Sequence, residues 1–274
     1  MSDGGLLPHF SDARRRVVKW AHFLPIYEQL LAPYRGRAVT LIEVGVGDGG
    51  SLQMWRSYLG ASARIIGIDL NPSAKCLESE GFEIIIGDQS DPDFWAERVV
   101  KAGPIDVLID DGGHSSVQQI VTVACGLPHV RDGGVIVVED THTSYMPAEY
   151  PVYGRFGFMP FAQHVVDVLH ARNPHVTRPA ADAAALGRAI HHVAFHESMA
   201  IFHVDRRRCG RSEMIEAGEE EIPPPPASST LRSTIREAYD AQPRWVRSMF
   251  QSVRGVLRSR RWIADAKRVA RYFR

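Results

Sequence analysis

VTLIEVGVGDGGS, residues 39–51, is the stretch on which the fold turns. Val39 to Ile42 is a short apolar run, and it leads through Glu43 into a turn with Gly45, Gly47, Gly49 and Gly50. A helix is expected from about Ser51. An apolar run of this length that ends in a turn is the pattern of a buried strand. Glycine lets the backbone take positive φ and lets another group come close where a Cβ would stand. A helix that starts there presents unpaired N–H groups. Strand, glycine turn and helix together suit a nucleotide-type ligand at the carboxyl edge of a parallel sheet. The same three elements also make an ordinary tight connection, so the rest of the chain has to decide.

Outward from this stretch the pattern alternates. Strands are expected at 64–69 (RIIGID), 82–87 (FEIIIG), 105–110 (IDVLID) and 135–139 (VIVVE). Helices are expected between them at 51–59, 73–80, 91–102 and 115–127. Asp91 and Pro92 suit a helix start. Near-continuous apolar strands that alternate with helices predict a parallel sheet covered on both faces. Beyond it come an aromatic, proline-bearing loop at 141–157, a helix at about 160–172, and an antiparallel hairpin of strands 190–196 and 199–204. Before it, 1–9 reads as loose. Residues 12–34 read as helical, broken at Pro25, with Val17, Val18, Trp20, Phe23, Tyr27 and Leu31 on one apolar face. The expected organisation is a helical segment over 1–36, an α/β core over 37–212, an acidic and proline-rich linker over 213–230, and a basic amphipathic tail over 231–274.

Composition sets bounds. Of 274 residues, 45% are hydrophobic and 23% charged, the profile of an ordinary globular protein. Lys plus Arg and Asp plus Glu are equal at 32 each, so net charge gives no reason to expect a nucleic-acid partner. Cys76, Cys125 and Cys209 are far apart and form no CxxC pair, which suits a reducing cytoplasm and predicts neither a disulfide framework nor a zinc site. The opening residues lack the apolar core of a secretion signal, and no apolar run is long enough to cross a bilayer.

The chemistry-bearing residues fall at strand ends. Asp69 ends the second strand at the spacing of an acid that binds ribose hydroxyls; as a loop cap before Asn71 and Pro72 it would serve structure alone. Asp88 and Gln89 end the third strand, where they can read an adenine edge or simply make a turn. The fourth strand ends Asp110–Asp111–Gly112–Gly113–His114 and the fifth ends Glu139–Asp140–Thr141–His142. In a parallel sheet these ends lie side by side. Asp111, Glu139 and Asp140 then converge, and like charges at that range call for a hard divalent cation, Mg²⁺ or Mn²⁺ rather than zinc. His114 and His142 stand close enough to accept a proton from a hydroxyl that the ion polarises. His191, His192, His196 and His203 lie in the hairpin and read as packing or surface residues.

With these residues in hand, the chain resembles the class I S-adenosylmethionine-dependent methyltransferases over about 37–205. More narrowly, IEVGVGDGGSLQMW, GDQSD, IDDGGH and VVEDTHTSY are similar to the metal-dependent sugar O-methyltransferases of the mycinamicin, tylosin and rhamnosyl type. The resemblance implies a seven-stranded, mostly parallel Rossmann-like sheet closed by an antiparallel hairpin. It implies that Glu43, Gly45 and Gly47 hold the methionine part of S-adenosyl-L-methionine, Asp69 the ribose, and Asp88 and Gln89 the adenine side, with Ser51 and Asp110 also in the cofactor site. Asp111, Glu139 and Asp140 would bind Mg²⁺. His114 would be the general base, with His142 a nearby assistant or substitute, and Tyr145 and Tyr153 would shape a saccharide or glycoside pocket.

The sequence departs from that pattern in two ways. It shows neither the longer insertion in the first glycine loop nor the large N-terminal domain of the macrolide enzymes, and it adds the proline-hinged basic tail. The tail pattern fits packing on its own domain or on a partner subunit, with a homo-oligomer as the expected state; peripheral contact with an anionic lipid surface is the other option. Two competing functions remain at this level: an NAD-dependent sugar oxidoreductase, and a saccharide- or lipid-binding protein that keeps the fold without the chemistry.

Overall fold

Period-two alternation along β1 (Thr40–Val44) sends Leu41 and Glu43 to one face and Ile42 and Val44 to the other. The same alternation runs through β4 (Ile105–Asp110) and β5 (Val130–Glu139), so each sheet face carries its own apolar layer. On one face Leu41, Val107, Ile109, Val135 and Val137 meet Phe23, Tyr27, Leu31 and Trp55. On the other Ile42, Val44, Leu108, Ile136 and Val138 meet Trp95, Val123, Phe158 and Val165. A computed structural model of the chain describes residues 5–146, 156–176, 184–215 and 217.

With β2 (Arg64–Asp69), β3 (Glu83–Ile86), β6 (Ile190–His196) and β7 (Met199–Val204), the sheet has seven strands in the order β3-β2-β1-β4-β5-β7-β6. Pairs among β1 to β5 are parallel, and β7 runs antiparallel to both β5 and β6. This is the Rossmann-like methyltransferase sheet that the resemblance implied. The chain winds one way from β1 to β3 and the other way from β4 onward. The crevice between the carboxyl ends of β1 and β4 is therefore the switch point, where such sheets take their ligands. Sheet and helices lie in one compact unit, Met1–Met214. No helix among the described residues is long and apolar enough to cross a membrane.

Around the sheet stand α1 (Leu6–Ser11), α2 (Phe23–Leu31), α3 (Gly50–Leu59), α4 (Pro92–Glu97), α5 (Ser116–Gly126), α6 (Phe158–His170) and α7 (Ala184–Ala189). Their starts follow local chemistry. The Asp91 side chain accepts from Asp93 N–H at the head of α4, and Ser115 and Gln118 form a reciprocal capping box at the head of α5. The expected helix 91–102 is shorter: α4 stops at Glu97 and a 3₁₀ turn covers Val99–Ala102.

The N-terminal expectation needs correction. Leu6–Ser11 is helical, whereas 12–22 is not. Pro25 sits in the first turn of α2, where its missing N–H costs no intrahelical bond, so it opens the helix rather than breaking it. Val18 and Trp20 are 66% and 54% exposed, so the apolar face assigned to them is not formed. The segment is held instead by side-chain bonds: Gln53 Oε1 accepts from Arg14 N–H at 2.9 Å and from Arg15 N–H at 3.0 Å. The tail 231–274, most of the linker, and residues 147–155 with Tyr153 lie outside the described residues.

Candidate active site

Strand period places the acids before any ligand is invoked. Asp110 pairs with Val138 across the β4–β5 ladder, which sets Asp111 beside Glu139. Both fall on the sheet face that carries Glu43, because each continues the odd-numbered row. Three carboxylates on one face of three adjacent strands require a positive charge. The chain supplies one itself. Lys19 Nζ lies 2.6 Å from Glu139 Oε1, 2.7 Å from Asp111 Oδ2 and 3.3 Å from Glu43 Oε1, with its side chain 1% exposed. Burial opposes the ammonium, but Glu139, Asp111 and Glu43 outweigh it and hold its pKa well above that of an ordinary lysine. Tyr27 also donates to Glu139 Oε1, at 2.5 Å. Burial pushes the Glu139 carboxyl up, to about 8, while Lys19 pulls the other way. Glu43 is raised by burial too, and its Oε2 accepts from Ser51 Oγ at 2.6 Å.

Asp140 leaves this row. Its backbone is left-handed, φ 54°, as is that of His114, φ 57°. Asp and His tolerate this conformation better than most residues, and such outliers gather at functional sites. Thr143 Oγ1 ties the two together, donating to the carbonyls of His114 and Asp140 at 2.7 and 2.9 Å. The result is a second cluster facing solvent: Asp111, His114 and Asp140 each present a ligand atom, all within 4.8 Å of one another. His114 Nε2 is 3.4 Å from Asp140 Oδ2, and the buried His114 Nδ1 has no partner. His142 lies farther out, its Nδ1 3.8 Å from Asp140 Oδ1. Asp111 belongs to both clusters. Of the three acids expected to hold an ion, Asp111 and Asp140 fall in the solvent-facing group, while Glu139 turns toward Lys19 and Tyr27.

The donor side is the glycine loop. Gly45 has φ +82°, and a Cβ there would lie 2.1 Å from the Asp111 carbonyl oxygen, so only glycine lets the β1 and β4 loops touch. The two Asp69 oxygens accept from Val46 N–H at 3.0 Å and Asn71 N–H at 2.8 Å, which sets the loop against the end of β2. Between this loop, Asp111 and the segment Arg16–Val18 is a cavity of about 300 Å³. Ser51 lines it as well.

The β3 end is structural in its contacts. Gln89 Nε2 donates to Asp110 Oδ1 at 2.9 Å and Thr122 Oγ1 at 3.1 Å, and its Oε1 accepts from Gly113 N–H at 3.0 Å. Asp88 Oδ1 accepts from Ser90 N–H and Ser90 Oγ, an Asx turn. Asp110 lies on the opposite sheet face from Asp111 and is fully buried; burial raises its pKa, and its Oδ2 has no partner. Tyr145 ends the 3₁₀ turn Thr141–Tyr145 and is 69% exposed. In the hairpin, His192 and His203 stack at 4.6 Å, as packing residues would.

Residues 42–141, which span β1 to the acids after β5, match the family model described as a methyltransferase domain. The chain carries a methyltransferase domain. Among its relatives is the 8-demethyl-8-alpha-L-rhamnosyl tetracenomycin-C 2'-O-methyltransferase of Streptomyces olivaceus, 34% identical over 212 residues, 72% of this chain and 53% of that protein. Another is the mycinamicin VI 2''-O-methyltransferase of Micromonospora griseorubida, 36% identical over 132 residues, 46% of this chain and 33% of that one. Among solved structures, MycE methyltransferase in complex with Mg, SAH and mycinamycin VI superposes with a TM-score of 0.66 at 26% identity, covering 76% of this chain and 55% of that one. The chain thus spans about half the length, or less, of the relatives it matches. The site residues that the sequence pattern does not reveal are Lys19, Trp20 and Tyr27, which lie before the matched domain. The available signal was a lone lysine inside the apolar run Val17–Ala21.

Proposed function

We propose that the chain transfers a methyl group from S-adenosyl-L-methionine to a hydroxyl of a saccharide-bearing acceptor, with the help of a divalent cation. The observation that carries this is the meeting of Asp111, His114 and Asp140 at the β4 and β5 ends, beside the cavity walled by the glycine loop. The donor set fits Mg²⁺ or Mn²⁺, because the carboxylates of Asp111 and Asp140 offer hard oxygen ligands at one point. The sugar O-methyltransferases among the relatives support the acceptor class.

On this reading the cofactor supplies an electrophilic methyl on sulfur, and a cation supplies polarisation of the acceptor hydroxyl. The chain does the rest. Glu43, Gly45, Gly47 and Ser51 seat the methionine end and Asp69 the ribose, with Asp88, Gln89 and Asp110 backing the adenine side. Asp69 can still accept from hydroxyls, since each oxygen has a second lone pair. Asp111 and Asp140, with Glu139 behind them, hold the cation. His114 takes the hydroxyl proton at Nε2, which faces the cluster. His142 stands by as an assistant or substitute base, and Tyr145 borders the acceptor. Positioning and charge stabilisation carry the rate.

Transfer of labelled methyl to a panel of rhamnosyl and other deoxysugar glycosides, in Mg²⁺ and in EDTA, tests the proposal. Incorporation that needs the ion supports it. Full incorporation in EDTA refutes the ion's part, and no incorporation into any saccharide refutes the acceptor class.

A further inference from the structure

The segment 12–22 crosses the carboxyl edge of the sheet as an irregular strap, bent at Arg14–Arg15 and turning at Ala21–His22. One end is tied to α3 through Gln53, and Arg15 Nε is 2.6 Å from Glu80 Oε1. Its backbone presses on the start of α3: a Cβ on Gly50 would lie 2.4 Å from the Arg16 carbonyl oxygen. The next residues, Arg16–Val18, wall the glycine-loop cavity. The two after them bind the acids. Lys19 grips Asp111 Oδ2, and Trp20 Nε1 donates to Asp140 Oδ1 at 2.8 Å. Each of these carboxylates gives one oxygen to the strap. The other remains: Asp140 Oδ2 faces His114, and Asp111 Oδ1 is not taken by Lys19.

We infer that the strap couples the donor cavity to the cation site, with Lys19 and Trp20 as positioning residues. The inference rests on the proposed donor and ion sites. A cation held by the free oxygens of Asp111 and Asp140 fixes both carboxylate rotamers with their strap bonds intact. Asp111 both takes Lys19 and lines the donor cavity, so fixing its carboxylate holds that cavity wall in the shape the donor needs. Coupling is reciprocal, so each ligand strengthens the other by the same factor. Lys19 also reaches Glu43 on the donor side, which makes it the stronger link of the two.

Calorimetric titration of S-adenosylhomocysteine into the full chain, with and without saturating Mn²⁺, measures the coupling. Mn²⁺ is expected to tighten binding about fivefold in the wild type, the low end of typical couplings. Lys19→Met, which keeps length and burial without charge, should cut the factor below about twofold. Trp20→Phe, on an exposed ring, should lose part of it and keeps the test open if Lys19→Met fails to fold. An equal factor in wild type and both variants overturns the inference, as does binding in the wild type that ignores Mn²⁺. No S-adenosylhomocysteine binding under any condition overturns the donor site itself.

Discussion

Replacing Gly45 with alanine tests the join between the donor loop and the acid cluster. The substitution carries two costs. A non-glycine residue at φ +82° pays about 1–2 kcal/mol for the left-handed conformation. The new Cβ also lands 2.1 Å from the Asp111 carbonyl oxygen and 2.7 Å from Gly112 Cα, both backbone atoms. Reaching ordinary contact needs a shift of about 1.3 Å or more. Asp111 is anchored by its N–H to the Val44 carbonyl at 3.0 Å, so the strain falls on the segment that carries its carboxylate. A displacement of about 1 Å at a reacting site can cost 10²-fold. Gly45→Ala should therefore lower Mn²⁺ affinity, read by electron paramagnetic resonance, and reduce methyl transfer by about 10²-fold or more. Gly47→Ala is the control. Its φ is +49° but a Cβ there meets nothing within 4 Å. It should lose about 1 kcal/mol of unfolding free energy and keep the wild-type Mn²⁺ affinity. Gly45→Ala with wild-type Mn²⁺ affinity and turnover would refute the reasoning.

Other expectations follow from the same geometry. His114→Ala should slow methyl transfer about 10²-fold or more with little change in S-adenosylhomocysteine affinity, whereas His142→Ala should cost less; the reverse order assigns the proton to His142. Asp69→Ala should weaken S-adenosylhomocysteine binding, and NAD should not compete with it; competition by NAD at similar concentration would favour the oxidoreductase reading. The His203 imidazole is pushed down to about 4 by burial and by His192 and His191. The unfolded chain therefore binds more protons there between about pH 6.5 and 4, and stability falls as pH falls through that window. In denaturant melts from pH 7 to 4, His203→Phe should flatten that fall; an unchanged slope would place the proton uptake elsewhere.

Much of this fold lies open in the sequence because its strands are near-continuous apolar runs that end at Gly or Asp. The runs at 64–69, 105–110, 190–196 and 199–204 match the observed strands. Asp111, Glu139 and Asp140 are legible as neighbours of His114 and His142 because parallel strands bring their carboxyl ends to one edge. The strap could not. Its partners lie 24, 92 and 120 positions from Lys19, and it is fixed by single side-chain bonds that leave no periodic trace. Its apolar residues read as a helix face because Val17, Val18, Trp20 and Phe23 fit a period of 3.6 over a short window. Neighbouring acids are likewise not separated by pattern alone. Asp110 and Asp111 leave their strand end on opposite faces, so one is buried against Gln89 while the other meets Lys19. Glu139 stays in the strand row and turns to Lys19, whereas the left-handed backbone of Asp140 carries its carboxylate to His114.

A crystal of the full chain grown with S-adenosylhomocysteine and Mn²⁺ would test the account most directly. The anomalous signal of manganese is expected between the carboxylates of Asp111 and Asp140, with the sulfur of the nucleoside in the cavity beside Gly45 and Gly47. Manganese bound away from these residues, or the nucleoside seated outside the glycine-loop cavity, would contradict it.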